Sequence, residues 1–285
     1  MPDKRRKKGR QPEARAEGAQ RQAGGAGAVQ TPLLAHRKEL MALLERANGC
    51  SNFALLLYRF ADGSTKEKRQ TLSAALAGCG NAALGKLSGL LDGIQQRQAA
   101  ALAGLQEQKF HCEELKAKVA WRLVIGGSYG KVWDTSLQVH PLYGVPCLPA
   151  SSIKGMLAHF VEENYASDSD RTRIFGTTDR QGEVIFLDAF CCSGARRYFE
   201  EDVIGKHYHE YYEKDPPGVP ADYCEPEPVK FLAVAGGVEF VFRFASRERE
   251  LVNKTKDWLL RCLAEYGIGA KTRVNYGRLK PSSSA

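Results

Sequence analysis

The 285-residue sequence predicts an α+β fold of the ferredoxin-like kind, preceded by a helical region and a basic tail. Three observations favour this fold class. Residues 1–30 contain few large apolar side chains, residues 31–117 have the apolar spacing of helices, and residues 118–285 alternate between strand and helix patterns. We therefore expect a disordered tail, a helical region and a ferredoxin-like domain with these bounds.

The basic tail carries most of the chain's net charge. Residues 1–10 contain six basic residues and one acidic residue, in a chain whose formal net charge is +8. Residues 11–30 are rich in glycine, alanine and glutamine, and such a composition buries too little apolar surface to fold. The tail is therefore predicted to be a disordered arm, with phosphate binding as the alternative.

Cysteine spacing and hydropathy bear on the location of the protein. The eight cysteines include no Cys-x-x-Cys pair, so neither a zinc site nor a redox motif is predicted. Free thiols are typical of a reducing cytoplasm. No apolar run follows the basic start as in a secretion signal, and none reaches the roughly 18 residues of a membrane span. We expect a cytoplasmic protein with no membrane partner, cofactor or metal.

Residues 31–117 are predicted to be helical throughout. Leucine-rich positions recur at three- and four-residue steps around residues 33–44 and 84–94. The expected breaks between helices are at Gly63, Gly78, Gly80 and Gly104. This region carries no indication of chemistry and is interpreted as a packing or docking unit.

The remaining residues alternate between strands and helices. The predicted strands are Val119–Ile125, Val132–Val139, Val184–Phe190, Val229–Val234, Val238–Phe244 and Arg273–Leu279. The predicted helices are Ser151–Tyr165 and Leu251–Tyr266. The fourth and fifth strands are expected to pair across Gly236 and Gly237. This order is typical of a ferredoxin-like (RRM-like) sheet with helices on one side, an architecture that also serves RNA recognition.

The most informative segment is G-I-G-A-K-T-R-V-N-Y-G near the C-terminus. Gly267, Gly269 and Gly277 leave the backbone unobstructed, so amide groups there can approach a phosphate closely. Lys271 and Arg273 supply positive charge. An ordinary helix end at Gly267, followed by a loop, explains the same pattern. The sequence leaves both interpretations open.

A second candidate contact is the helix start in L-P-A-S-S-I-K-G. Ser151 and Ser152 are expected to open the helix, whose free amides and positive dipole end suit a phosphate. Lys154 adds charge. Gly155 costs about 0.5–1 kcal/mol relative to alanine in a helix, which favours a functional need for close approach. Ordinary capping beside an exposed lysine is the alternative.

Aromatic and basic residues alternate between Arg196 and Asp222. The aromatic residues are Tyr198, Phe199, Tyr208, Tyr211 and Tyr212, and the basic residues are Arg196, Arg197, Lys206, His207 and Lys214. This composition suits either stacking on unpaired nucleotides or a subunit interface. We favour the interface.

Several segments occur in a fixed order between Lys118 and Lys280. They are residues 137–157, I-F-G at Ile174–Gly176, E-V-I-F-L-D-A, the stretch from H-Y-H-E-Y-Y to P-A-D-Y-C-E-P-E-P-V-K-F-L, and G-I-G-A-K-T. Together they resemble the RAMP superfamily, and most closely its sixth-subunit family in type III-B (Cmr) CRISPR complexes. The helical region and the tail lie outside this resemblance.

The resemblance implies a ferredoxin-like scaffold subunit of an RNA-guided antiviral defence complex. Such a subunit lies at one end of a filament, contacts CRISPR RNA and neighbouring RAMP subunits, and does not cleave RNA; target RNA is a further candidate partner. By position, Ser151, Ser152, Lys154 and Gly155 correspond to the family's S-S-[LI]-K-G helix start, and Gly267, Gly269, Lys271 and Gly277 to its glycine-rich loop. Ala150 and Asn275 replace glycines that are usual in the family, although asparagine tolerates positive φ.

A ribonuclease is the alternative interpretation. The family's target-cleaving subunits look similar around Asp134 and carry a catalytic aspartate there, and a carboxylate can hold a hydrated divalent ion against a phosphate. His140 and His159 could act as acid or base without a metal. We favour structural roles for the two histidines and interpret Asp134 as an exposed aspartate at the end of a strand. A subunit that docks on proteins without touching RNA is a third alternative.

Overall fold

The first part of the described chain is helical. The computed structural model describes residues 52–60, 66–126, 137–206, 211 and 226–282. Helix α1 (Phe53–Leu55) begins at Asn52, whose side chain accepts hydrogen bonds from the N–H groups of the first turn, and continues as a π-helical turn, Leu56–Phe60. Helices α2 (Lys66–Lys86) and α3 (Ser88–Glu107) follow.

The glycines expected to separate helices do not do so in this part of the chain. Gly78 and Gly80 lie inside α2 and Gly104 lies inside α3, while Gly63 falls outside the described residues. The two helices meet at Leu87 instead. A Cβ on Gly80 would come within 2.6 Å of the Phe199 ring, so this glycine serves close packing rather than a break.

The strands run antiparallel to their neighbours. In chain order they are β1 (His111–Val119), β2 (Cys147–Leu148), β3 (Ile185–Phe186), β4 (Ala189–Cys191), β5 (Phe199–Lys206), β6 (Glu227–Val234), β7 (Glu239–Ser246) and β8 (Leu279–Pro281). Among the described residues, six strands form one sheet in the order β2-β4-β7-β1-β8, with β3 also paired to β7. β5 and β6 form a separate two-stranded sheet.

Strand β1 corrects the predicted end of the helical region at residue 117. Leu115, Ala117 and Val119 are buried, and the charged residues between them are exposed. This period of two belongs to a strand with one buried face. The expected strand Val119–Ile125 is correspondingly wrong, because beyond Val119 it contributes only single bridges to Val234 and Ala270.

The strands flanking Gly236 and Gly237 are present, but they do not pair with each other. β6 pairs with β5, whereas β7 pairs with β1, β3 and β4. Gly237 has a φ of +84° and donates its N–H to the Val119 carbonyl at 2.8 Å, which directs β7 onto β1. The predicted hairpin is therefore wrong.

The other predicted strands are shorter than expected or partly outside the described residues. The expected strand Val184–Phe190 is interrupted between β3 and β4. The expected strand Arg273–Leu279 is replaced by a 3-10 turn, Thr272–Val274, that precedes β8. Of Val132–Val139, only residues 137–139 are described, and Val139 makes a single bridge to Pro146.

Helices cover both faces of the main sheet. Helix α4 (Ala150–Asn164) packs against α6 (Arg249–Glu265), and α6 packs on β1, β7 and β8; the short α5 is Asp170–Phe175. Helices α4 and α6 match their predictions closely. On the other face, buried Arg243 of β7 donates hydrogen bonds to Glu114 of β1 and to two glutamines of α3. The expectation of helices on one side only is thus corrected by α3.

The described chain has an α+β fold, in which α4 lies between β1 and β4 along the chain and α6 lies between β7 and β8. None of the helices described is long and apolar enough to cross a membrane. The six cysteines that can be placed are all free thiols.

Candidate nucleic-acid interface

Helix α4 starts one residue before the predicted serines. Pro149 is extended and precedes the first turn, and its own side chain makes no capping hydrogen bond. The Ala150 N–H donates to Asp188 Oδ1 at 2.7 Å, so that amide is already occupied. Ser151 and Ser152 are exposed in the first turn, and within the described chain the Ser151 N–H has no hydrogen-bond partner. The start of α4 therefore presents one unpaired amide and two hydroxyl groups to solvent.

Lys154 and Gly155 lie one turn further along α4. Lys154 forms no ion pair with any residue the structure describes. Gly155 is exposed, and a Cβ there would meet no atom within 4 Å. Packing against the described residues therefore does not require the glycine, which leaves this surface open to a partner.

The three glycines of the C-terminal loop have a packing function. Gly267 has a φ of +75°, and its N–H caps α6 by bonding to the Cys262 carbonyl at 2.9 Å. A Cβ on Gly269 would collide with the Val124 carbonyl, and one on Gly277 with the Ile268 carbonyl. The helix-end interpretation is confirmed at Gly267. Contact between these amides and a phosphate stays a prediction.

The charged side of the same loop is exposed. Arg273 has no ion pair among the described residues, and Lys271 Nζ lies 5.9 Å from the centre of the Phe231 ring. Asn275 adopts a φ of +69°, as its tolerance of the left-handed region predicts. Lys271 is also left-handed, with a φ of +61°.

The two predicted segments line a common groove, which we call the loop groove. It is formed by Ser152, Met156, His159 and Glu163 of α4 together with residues 265–269, 272–273 and 278, and it holds about 590 Å³. Ser152, Gly267, Gly269 and Arg273 are therefore brought together. The other predicted residues do not line the groove: Ser151, Lys154, Gly155, Lys271 and Gly277. The helix start and the glycine loop were predicted from separate segments, and they meet at one place.

The electrostatics of the loop groove are mixed. Arg273 and Arg278 are cationic, and Glu163 and Glu265 are anionic. Glu163 accepts a hydrogen bond from the Tyr266 hydroxyl, which raises the pKa of that tyrosine, and lies 3.5 Å from His159 Nε2. Glu265 is paired with Arg261 at 3.3 Å. Both carboxylates thus have partners, whereas neither Arg273 nor Arg278 forms an ion pair with a described residue; Arg278 donates a hydrogen bond to the Ala264 carbonyl at 2.9 Å.

A polar network that the sequence patterns did not reveal contacts Tyr276 of the C-terminal loop. Arg122 lies 2.7 Å from Glu200 and 3.1 Å from Asp202, and Asp202 accepts a hydrogen bond from the Tyr276 hydroxyl. Burial and this carboxylate raise the pKa of Tyr276 to about 12. Trp121 is half-exposed, and its ring contacts both the Arg122 guanidinium and the Tyr276 ring. The Trp-Arg pair after β1 was the available signal, but its partners are distant in the sequence.

His140 is a structural residue in the loop that precedes α4. Its ring stacks on Tyr143, its Nδ1 accepts the Tyr143 N–H at 3.3 Å, and burial lowers its pKa. His159 is exposed and lines the loop groove. These two histidines therefore lie in different surroundings, and only the second faces a candidate site.

The aromatic segment is divided by the structure. Tyr198 and Phe199 are buried, and Phe199 packs on Phe53 with the ring centroids 4.5 Å apart, so neither is available for an interface or for stacking. Tyr211 is exposed. Tyr208, Tyr212, His207 and Lys214 lie outside the described residues.

The part of the chain that the structure describes contains no group of three or more His, Cys, Asp or Glu residues arranged to hold a metal ion. Asp134 and the basic tail fall outside that part. The catalytic alternative and the phosphate-binding arm thus stay predictions.

Comparison with known proteins identifies the family. A family model described as the RAMP superfamily matches residues 122–280, more than half of the chain. The chain belongs to the RAMP superfamily. The resemblance stated from the sequence motifs is confirmed, and the matched residues include both segments of the loop groove.

Curated relatives refine this membership. The chain is 29% identical over 225 residues to the CRISPR system Cmr subunit Cmr6 of Pyrococcus furiosus, and 30% identical over 175 residues to Cmr6 of Saccharolobus solfataricus. The alignments cover 58% and 60% of this chain, and 66% and 58% of those relatives, which is less than two thirds of each. A chain of a type III-B Cmr-beta complex bound to cognate target RNA, solved by cryo-EM, shares the fold, with a TM-score of 0.59 and 24% identity over 68% of this chain and 66% of that one.

Proposed function

We propose that this RAMP protein is an RNA-binding scaffold subunit of a type III-B (Cmr) CRISPR effector complex. It grips the backbone of CRISPR RNA and contacts neighbouring subunits, without cleaving RNA itself. The similarity to two Cmr6 proteins supports the assembly. The convergence of Ser152 with Gly267, Gly269 and Arg273 in the loop groove is the observation that carries the RNA contact.

We propose a ferredoxin-like arrangement for the RAMP sheet. β1 and β4 flank β7 and are both antiparallel to it, so they are parallel to each other with one strand between them. The connection from β1 to β4 contains α4, and the connection from β7 to β8 contains α6. This is the split β-α-β order of that architecture. It supports the RNA proposal by placing the start of α4 and the end of α6 at the same end of the sheet.

The proposed contacts are to phosphates rather than bases. Ser151, Ser152, Lys154 and Gly155 would lie on one side of the RNA backbone, and Gly267, Gly269, Lys271, Arg273 and Gly277 belong to the loop on the other side. Lysine and arginine position a backbone without reading its sequence. Binding should therefore be similar for different guide sequences and should weaken as the salt concentration rises.

The test measures the affinity of the purified chain for single-stranded RNA over a salt series. Lys154→Ala with Lys271→Ala should lower the slope of log affinity against log salt by roughly 0.7 for each charge. The matched control is Lys109→Gln with Arg249→Gln. It removes two exposed charges near the starts of β1 and α6, at the end of the sheet away from the loop groove. A wild-type slope in the first double variant would exclude both lysines as phosphate contacts and would return the glycine-rich loop to a structural connection.

Cleavage by Asp134 is the competing function. As a scaffold, the chain does not need that carboxylate, so Asp134→Ala should leave target cleavage by the assembled complex unchanged. Loss of one band among the cleavage products, seen only with divalent metal present, would show that the subunit is a nuclease.

A further inference from the structure

A second groove lies at the same end of the main sheet, on its other face. We call it the turn groove. It is lined by Lys118 at the end of β1, residues 192–197 after β4, the turn Gly236–Gly237, and Glu239, and it holds about 780 Å³. Side chains alternate between the two faces along a strand, so Lys118 lies on the same face as Glu114, the face that α3 covers. Glu113 lies on the opposite face, where it pairs with Lys256 of α6. The two grooves are thus on opposite faces of one sheet end.

The turn groove is positively charged. Lys118, Arg196 and Arg197 contribute three cations, and Glu239 is the one carboxylate among the lining residues. Lys118 lies 3.8 Å from Glu239, and Arg197 lies 3.3 Å from Glu200. Arg196 is exposed and makes no ion pair with the residues that can be placed. Arg196 therefore remains available to an anion from outside.

The walls of the turn groove favour a phosphate over a protein segment. Gly194 and Gly237 both have positive φ, and a Cβ on either would meet no atom within 4 Å, so bare backbone faces the open space. No aromatic or large aliphatic side chain lines the groove, whereas the centre of a protein interface is enriched in them. Burial, reinforced by Glu239, raises the pKa of the Cys192 thiol to about 11, so this thiol is neutral at pH 7 and does not repel an anion.

A short segment of backbone separates the two grooves. On one side, the Trp121 carbonyl packs against Gly236 of the turn groove. On the other side, the Arg122 carbonyl accepts the Gly277 N–H of the C-terminal loop at 2.7 Å. Trp121 is half-exposed on this segment, and its ring offers a stacking surface for a base of single-stranded RNA.

We propose that the turn groove binds a phosphodiester group of single-stranded RNA, with Arg196 as its principal contact. This inference rests on the proposed RNA-binding function and extends it, because one strand then contacts both faces of the sheet end. Guanidinium groups suit this task, since their planar donors match phosphate oxygens.

The experiment uses the full chain and an oligouridylate of about 16 nucleotides, the upper end of site sizes for single-strand binders. Arg196→Ala should lower the salt slope by roughly 0.7, and adding Lys154→Ala should lower it by about the same amount again, because the contacts are separate. Arg196→Lys keeps the charge and should restore the slope. Arg249→Ala, which removes an exposed charge at the start of α6, should leave affinity and slope unchanged.

The outcomes separate this inference from the function on which it rests. Absence of RNA binding by the wild-type chain would overturn both. Wild-type binding with an unchanged slope in Arg196→Ala would overturn this inference alone. Unchanged RNA affinity together with loss of co-purifying sibling subunits would also overturn it and would assign the turn groove to a protein contact.

Discussion

The two segments that line the loop groove use glycine in opposite ways. At the start of α4, the missing side chain of Gly155 leaves open space. In the C-terminal loop, Gly267, Gly269 and Gly277 have positive φ and are pressed against backbone carbonyls of the same chain. The helix start is therefore a surface open to a partner, and the loop is a support, a segment whose glycines are needed for packing within the fold. A glycine-rich sequence close to a binding site therefore need not owe its glycines to the ligand.

The same contrast holds for charge. Lys154 of the helix start and Arg273 of the loop have no ion-pair partner within the described residues, so both can offer charge to RNA. Arg122, behind the loop, is committed to Glu200 and Asp202. Substitutions in the support should therefore change stability first, and substitutions on the surface should change RNA affinity first.

The largest effect is expected at Gly277. An alanine there would meet the Ile268 carbonyl and would have to hold a φ of +69°. The left-handed backbone and the overpacking together should lower the free energy of unfolding by about 3 kcal/mol, measured by urea denaturation. Gly155→Ala is the matched control, and it should stabilise α4 by roughly 0.5–1 kcal/mol. Equal stability of the two variants would remove the distinction between surface and support.

Arg122→Ala is expected to have the next largest effect. It would leave the half-buried carboxylate of Asp202 without its cation and that of Glu200 with Arg197 alone, so the free energy of unfolding should fall by about 2 kcal/mol. Arg122→Lys retains one charge but cannot reach both carboxylates with a planar fork, so its stability should fall between those of the wild type and the alanine variant. An alanine variant as stable as the wild type would show that the network does not support the loop.

Gly155→Leu should separate binding from folding. A leucine in this open position should leave the melting temperature nearly unchanged, because outside the backbone of α4 no atom of the described residues lies within 4 Å of the new Cβ. If RNA passes over α4, the bulk should reduce its affinity roughly threefold or more, through one weakened phosphate contact. Titration with labelled RNA measures this change. Unaltered affinity would place the RNA away from the helix start.

The smallest expected effect is on the pH dependence of stability, and it involves His140, which belongs to neither segment. Burial lowers the pKa of His140 in the folded protein. The unfolded chain therefore takes up a proton first as the pH falls below about 6.5, and stability should decrease between pH 7 and pH 5. His140→Gln should flatten this part of the stability curve. A steeper loss of stability in that variant would contradict the assignment.

Local patterns in the sequence predicted α4 and α6 well, because helical periodicity is read within a few turns. Asn275 was also predicted correctly, since its tolerance of positive φ is a property of the residue itself. Pairing could not be read in this way. β6 and β7 look like a hairpin in the sequence, yet their partners are β5 and β1, which are distant along the chain.

The candidate site was predictable only in part, for the same reason. Both segments of the loop groove were identified from their residues, but the purpose of the loop glycines depends on Val124 and Ile268, which the local pattern does not reveal. The Arg122 network joins residues more than 70 positions apart. Tyr198 and Phe199 are expected from the sequence at a subunit interface or on a stacking surface, but both are buried, and strand β5 carries Phe199 into the core against α1 and α2.

The most direct test of the central claim is to crosslink RNA to the chain with ultraviolet light in the assembled complex and to identify the crosslinked peptides by mass spectrometry. We expect crosslinks in two peptides, one containing residues 150–155 of α4 and the other containing residues 269–277 of the loop, in the same complexes and with different guide sequences. Crosslinks confined to other parts of the chain, with both of these peptides unmodified, would contradict RNA binding at the loop groove.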